Sequence, residues 1–176
     1  LQQRHLRAGD TRRSHAKRRD TVPGGRSFEL AIEGGHAALV KWLVERGARL
    51  EKPNAWSALA TAVAEWQLEI ATFLRPKSDL RHRNGDGATA LHAAAAEAQA
   101  AAVDWLVQQG ADVNARNFKG DTPLHEAARN EATKAAQRLL AARSSVEARN
   151  QYRETPLHLA ADYGQVEGSS STFQSR

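Results

Sequence analysis

The stretch "GDTPLHEAAR", Gly120 to Arg129, sets a histidine behind a Thr-Pro-Leu run. Whether His125 serves chemistry or architecture depends on what lies at fixed distances from it, because a motif that recurs at a constant period belongs to the fold first. Thirty-three residues downstream stands "ETPLHLAADYG", Glu154 to Gly164, and thirty-three upstream "GATALHAAAAE", Gly87 to Glu97. Thr89, Thr122 and Thr155 are therefore in register, as are His92, His125 and His158. Two fainter copies precede them. "SALATAVAEW", Ser57 to Trp66, has Ser57 for the threonine and Ala60 for the histidine. "SFELAIEGGHAALVKWLVERGA", Ser27 to Ala48, lacks both but keeps Gly35-His36, Leu39-Val40, Leu43-Val44 and Gly47-Ala48.

Each unit reads as two helices and a loop. Ala90 to Ala96 is short and alanine-rich; the following "AAVDWLVQQG" gathers Ala102, Val103, Trp105, Leu106 and Val107 on one apolar face and stops at Gly110. Pro123 and Pro156 suit a first helical turn, where the missing N–H would be unpaired anyway, and the threonine before each suits an N-cap. "GADVNARNFKGD", Gly110 to Asp121, carries the Gly, Asn and Asp of an extended hairpin-like loop. A helix of alanines buries little by itself at about 25 cal/mol per Å². The units must stack, with the alanines letting helices approach and the larger second-helix residues filling the gaps.

Gly-x-Thr-Pro-Leu-His-x-Ala-Ala, then Gly-His, a Val/Leu-rich helix and Gly-Ala-Asp-Val-Asn-Ala, is a pattern that resembles ankyrin repeats, strongly over 87–164 and more weakly over 27–82. The resemblance implies an all-α, ankyrin-type helix-turn-helix solenoid with projecting hairpin loops. The expected array covers 26–167, in units 26–52, 53–83, 84–116, 117–149 and a partial 150–167. It also implies that His125 and its threonine tie the helix start to the loops, which makes the histidine structural.

Charge is unevenly distributed. The net charge of +5 hides an N-terminal stretch, residues 1–26, with eight basic residues against Asp10 and Asp20, a net of +6; the remainder sums to −1. Residues 1–25 read as a basic, disordered arm, and 168–176 as a polar tail. The run Arg12 to Arg19 invites a nuclear-import or nucleic-acid function, yet no aromatic residue interleaves its charges to stack on bases, which favours a solvated linker. A chain that opens on Leu1 reads as a processed product or a fragment. Without cysteine, no disulfide or thiolate site forms. No stretch approaches the length of a membrane-spanning apolar helix. The expected location is cytoplasmic, or nuclear through Arg12 to Arg19.

Nothing in the sequence suggests catalysis. Histidines one unit apart would stand about 10 Å from each other, beyond the bonds of a shared zinc ion at about 2 Å, and "GGRSFELAIEGG" lacks phosphate-loop spacing. No metal, cofactor or enzymatic activity is expected.

Departures from the repeat pattern are informative. Trp42, Phe73 and Trp105 share a second-helix position, expected to pack between units; unit four has Arg138 there, and Arg143-Ser144 in place of Gly-Ala. A buried arginine would be costly, which predicts a loose second helix in that unit. "GSSSTFQSR" supplies no second helix to the fifth unit.

Partner contacts in ankyrin arrays come from loop tips and the exposed side of the first helices. Carried over to this chain, these are Arg116, Phe118, Lys119, Asp121, Arg129 and Asn130 in unit four, and Arg149, Gln151, Tyr152, Glu154, Asp162 and Tyr163 in unit five. They mix aromatic with charged side chains, as interface anchors and rims do. The expected function is a monomeric, non-catalytic module that binds another protein through its concave face, with nucleic-acid or nuclear-transport function through the arm as the alternative. One further feature is Leu106 followed, after five residues, by Asp112-Val113-Asn114. It resembles the ankyrin-repeat site at which an iron- and 2-oxoglutarate-dependent hydroxylase modifies asparagine; the plainer reading is that Asn114 bonds loop backbone.

Overall fold

The computed structural model describes residues 26–51 and 57–162. Among these the chain forms α1 (Arg26–Glu33), α2 (Ala37–Glu45), α3 (Ala58–Ala64), α4 (Leu68–Leu74), a 3-10 turn (Arg75–Lys77), α5 (Ala90–Ala96), α6 (Ala100–Gln108), α7 (Pro123–Arg129) and α8 (Thr133–Ala141). Residues 156–162 are helical as well, and none of the described residues lies in a strand. No described helix is long and apolar enough to cross a membrane. The odd-numbered helices stack in one row, α3 on α1, α5 on α3 and α7 on α5, and each packs against the even-numbered helix that follows it. The array is all-α, a stack of helix-turn-helix units.

The core explains the row. Phe28, Leu59, Leu91 and Leu124 occupy one first-helix position, and Leu43, Leu74, Leu106 and Leu139 one second-helix position; all are buried. Between them sit Ala31, Ala62, Ala94 and Ala127, whose single methyl groups let neighbouring first helices approach closely. Seven-residue helices such as α5 and α7 would be marginal alone. Burial against both neighbours holds them.

Two expectations need correction. Trp42 is 49% exposed, and Phe73 and Trp105 are partly buried against the core, so their shared position lies at the edge of the packing between units and not at its centre. Arg46 lies over the Trp42 ring at 3.8 Å from its centroid and Lys77 over Phe73 at 4.1 Å. Arg138 therefore never enters the core. Its side chain is 57% exposed and pairs with Asp104 of the preceding unit at 3.3 Å, while Ala135 and Leu139 of the same helix are fully buried. The desolvation cost expected of a buried arginine does not arise.

The turn between first and second helices repeats a left-handed residue. Gly35 holds it at φ +69°, and Trp66, Ala98 and Glu131 hold it at 52°, 55° and 53°. Cβ crowding makes this region unfavourable for L-residues, so three of the four units store strain where the first has glycine. Arg143, at φ 64°, does the same at the end of α8, where Gly47 and Gly110 close α2 and α6.

Candidate partner-binding face

The histidine column fixes the loops to the helices. His125 is fully buried, and its Nδ1 accepts from the Thr122 N–H at 3.1 Å, with the Thr122 hydroxyl 2.9 Å away. Its Nε2 lies 3.1 Å from the carbonyl of Glu154, in the next loop. A backbone N–H can only donate and a carbonyl only accept, so the imidazole is neutral with its proton on Nε2. His92 repeats this with Thr89 and the Asp121 carbonyl, the latter at 3.1 Å. Burial pushes the His92 pKa down to about 4, which holds it neutral. In unit two, where Ala60 replaces the histidine, Ser57 Oγ accepts directly from the Ala60 N–H at 3.1 Å. His158 keeps the local half, with Nδ1 2.6 Å from the Thr155 hydroxyl.

Two further columns at the same period shape the loops. Asn84, Asn117 and Asn150 each use the side-chain oxygen to accept two loop N–H groups, at 2.9–3.0 Å. Arg83 donates to the Arg116 carbonyl, and Arg116 donates to the Arg149 carbonyl at 2.8 Å. Backbone bonds add to this: the Phe118 N–H reaches the Asp86 carbonyl and the Gln151 N–H the Lys119 carbonyl, both at 2.9 Å. Successive loop tips are thus stapled together into one continuous, preformed edge.

Between that edge and the first helices of units three and four lies a groove of about 390 Å³, lined by Asp86, Ala93, Ala96, Phe118, Lys119, Glu126 and Arg129 among others. Phe118 stands at its mouth, 64% exposed. Its ring rests against Gly87, where an added Cβ would fall 2.5 Å from the ring and where φ is +76°. Only glycine meets both requirements at that position.

The groove wall is set by a buried ion cluster. Arg129 donates to Asp121 at 2.8 Å and to Glu126 at 2.7 Å, and Asn150 reaches the other Asp121 oxygen at 2.9 Å. Burial alone would raise the Asp121 carboxyl, but hydrogen bonds from Arg129 and Asn150, with the Arg129 charge, hold it below its ordinary value. Arg129 is likewise held above its own, since burial opposes its charge but Asp121 and Glu126 outweigh that.

These contacts separate the expected partner residues. Asp121 is not a surface residue: it is fully buried and fixes Arg129 in place. Arg129 is half-buried and committed to the cluster. Glu154 is half-buried, accepting from Asn150 at its carboxylate and from His125 at its carbonyl. Arg116 and Arg149 are exposed but spend a guanidinium N–H on loop carbonyls. Gln151 donates to the Phe118 carbonyl, and Asn130 to the Glu126 carbonyl at 2.9 Å. Phe118, Lys119 and Tyr152 remain with exposed side chains at the loop tips, and Asp162 is exposed on the last helical segment. Tyr163 and the run Arg12 to Arg19 lie outside the described residues. Asn114 is exposed on its loop, where its side-chain oxygen accepts from the Ser145 N–H at 2.8 Å and joins two units.

Sequence reasoning missed Asn84, Asn117, Asn150 and Arg83 as loop formers, although their spacing of 33 was there to be read. It also missed Glu126 and Asp86 as groove lining.

A family model for ankyrin repeats, in three copies, matches residues 28–117 and 116–169. No relative among the curated proteins matches the chain. With most of its length covered by that model, and with the helix pairs, stapled loops and threonine–histidine ties in place, the chain belongs to the ankyrin repeat family.

Proposed function

We propose that the groove between the loop tips and the first helices of units three and four holds a partner protein, with Phe118 and Tyr152 as its anchors and Lys119 at its rim. Ankyrin repeats generally mediate protein–protein interaction, and this array works without chemistry, by presenting side chains on a rigid edge. The observation that carries the reading is Phe118: a large aromatic ring, mostly exposed, seated on a glycine at the mouth of a groove. An exposed aromatic on an immobile support loses little freedom on binding, so more of its buried area counts toward affinity. The stapled loops extend that economy to the whole edge.

The test is affinity capture with the full chain, followed by calorimetry of the captured protein against Phe118→Ala and Tyr152→Ala. Each change is expected to weaken binding by about 2 kcal/mol, the scale of an interface hot spot. Unaltered affinity in both variants sinks the proposal.

A further inference from the structure

A second groove, over the first-helix row of units one to three, differs from the one beside Phe118. It measures about 500 Å³ and is floored by Ala60, Ala64, Ala93 and Ala96, with Glu29, Glu33, Glu65 and Glu97 around it and no lysine or arginine in its lining. Two of these acids, Glu65 and Glu97, share a place in the unit, one residue before the left-handed Trp66 and Ala98, and Glu33 lies one place earlier, two residues before Gly35. Glu33 ends α1, and Glu65 and Glu97 cap the C-terminal ends of α3 and α5. The backbone dipole already puts negative partial charge at those ends, where carboxylates are unfavourable and cations are preferred. Among the described residues, Glu33, Glu65 and Glu97 make no ion pair. In unit four these two places hold Arg129 and Asn130, and Arg129 pairs with Asp121 and Glu126. The groove lining holds no cation to answer the field these glutamates create.

We propose that this groove is a docking site for an arginine-rich extended segment, and that the segment is the chain's own residues 12–19. Charge selects the occupant. Residues 1–25 carry seven basic side chains against Asp10 and Asp20, five of the seven within 12–19, interspersed with the small Ser14 and Ala16. Aliphatic arginine stems suit an alanine floor, and guanidinium groups suit carboxylate walls. Reach permits it. Arg19 stands seven residues before Arg26 and Arg12 fourteen before it; at about 3.3–3.6 Å per extended residue they reach about 25 and 50 Å from the start of α1. First helices packed side by side at about 8–10 Å put Glu97 roughly 20 Å along the row from Glu33. Tethering makes the encounter intramolecular, so weak, screened ion pairs add up at high effective concentration. This groove adjoins the one beside Phe118 at Ala93 and Ala96, but its acidic wall does not include Phe118, and coupling at Lys17 reads the arm alone, so failure of this proposal is distinguishable from failure of the partner-binding reading.

Lys17 is the one lysine in residues 1–25, which makes carbodiimide coupling of the full chain a specific probe. At low ionic strength, Lys17 is expected to form an amide with Glu33, Glu65 or Glu97 in monomeric chain, with a yield unchanged on dilution and several-fold lower at high salt. Tryptic cleavage after Arg12, Arg13, Lys17, Arg18 and Arg19 gives a second readout. It is expected to quicken several-fold in the exposed-site variant Glu33→Gln/Glu65→Gln/Glu97→Gln, and to stay unchanged in Glu45→Gln on α2. Lys17 amides spread equally onto exposed Glu45 and Glu147 would overturn the proposal, as would equal cleavage in the triple variant. Crosslinked dimers that increase with concentration would overturn the intramolecular assignment and make a second copy the source of the segment.

Discussion

Acidification from pH 7 to pH 4 should weaken this fold through one buried imidazole. His92 is 1% exposed and neutral, its Nδ1 occupied by a donor and its Nε2 proton by the Asp121 carbonyl, and burial lowers its pKa from 6.5 to about 4. The unfolded chain takes up a proton at this residue near 6.5, whereas the folded chain resists until about 4. Above 6.5 the stabilisation is fully present; as pH falls from 6.5 toward 4 the unfolded state binds the extra proton and the stabilisation is lost. At about 1.4 kcal/mol per pH unit over that interval, the loss is about 3 kcal/mol, a large share of the 5–15 kcal/mol typical of a domain. Urea unfolding of the full chain at closely spaced pH values, beside a His92→Gln variant, isolates the effect. The variant should be less stable at pH 7 and should lose less stability between 6.5 and 4. An imidazole resonance of His92 that titrates near 6.5 in the folded protein, or parallel pH profiles for the two chains, would refute the reasoning.

Three further outcomes follow from the geometry. Arg143→Gly and Glu131→Gly each remove a Cβ from a left-handed residue on an exposed turn, so each should raise stability by about 0.5–1 kcal/mol in thermal unfolding once glycine's entropic cost is subtracted. Leu139→Ala should cost about 2–5 kcal/mol, because the site is fully buried; Arg138→Ala, one residue earlier, should cost under about 1 kcal/mol, because its ion pair is mostly exposed, and denaturant midpoints compare the two directly. Arg129→Ala strands the buried Asp121 carboxylate and should cost about 3 kcal/mol at neutral pH. Its depressed pKa makes Asp121 stabilising above the ordinary carboxylate value near 3.9, with that contribution lost as pH falls through the folded value, so the gap between Arg129→Ala and wild type should narrow under acid.

Much of the fold could be read in the sequence because stacking imposes identity. A residue that must fill the same space in every unit recurs, as Leu91 and Leu124 do in the first helices and Leu106 and Leu139 in the second. The same logic settles His125 and, applied consistently, would have marked Arg83, Arg116 and Arg149 as loop staples, since a side chain that repeats every 33 residues and meets a repeating carbonyl serves the array. What could not be read is how far around each helix the core extends. Trp42 and Trp105 look like core by type, yet their position turns half outward, and only the three-dimensional row reveals that Arg138 sits there at ease. Asp121 failed the other way. It varies between units, as surface residues do, but Arg129 of the following helix and Asn150 of the next loop come together to bury it, a conjunction of two successive repeats that neither contains alone.

The central claim is a division of labour: repeated side chains build the edge, and unrepeated ones such as Phe118 use it. The most direct measurement is the calorimetric affinity of the captured partner for Phe118→Ala, taken with the melting temperature of the same variant. The account predicts binding weaker by roughly thirtyfold, the equivalent of about 2 kcal/mol, with a melting temperature close to that of the unaltered chain, since the ring is 64% exposed. Undiminished affinity, or a loss of binding that merely tracks a loss of fold, would contradict it.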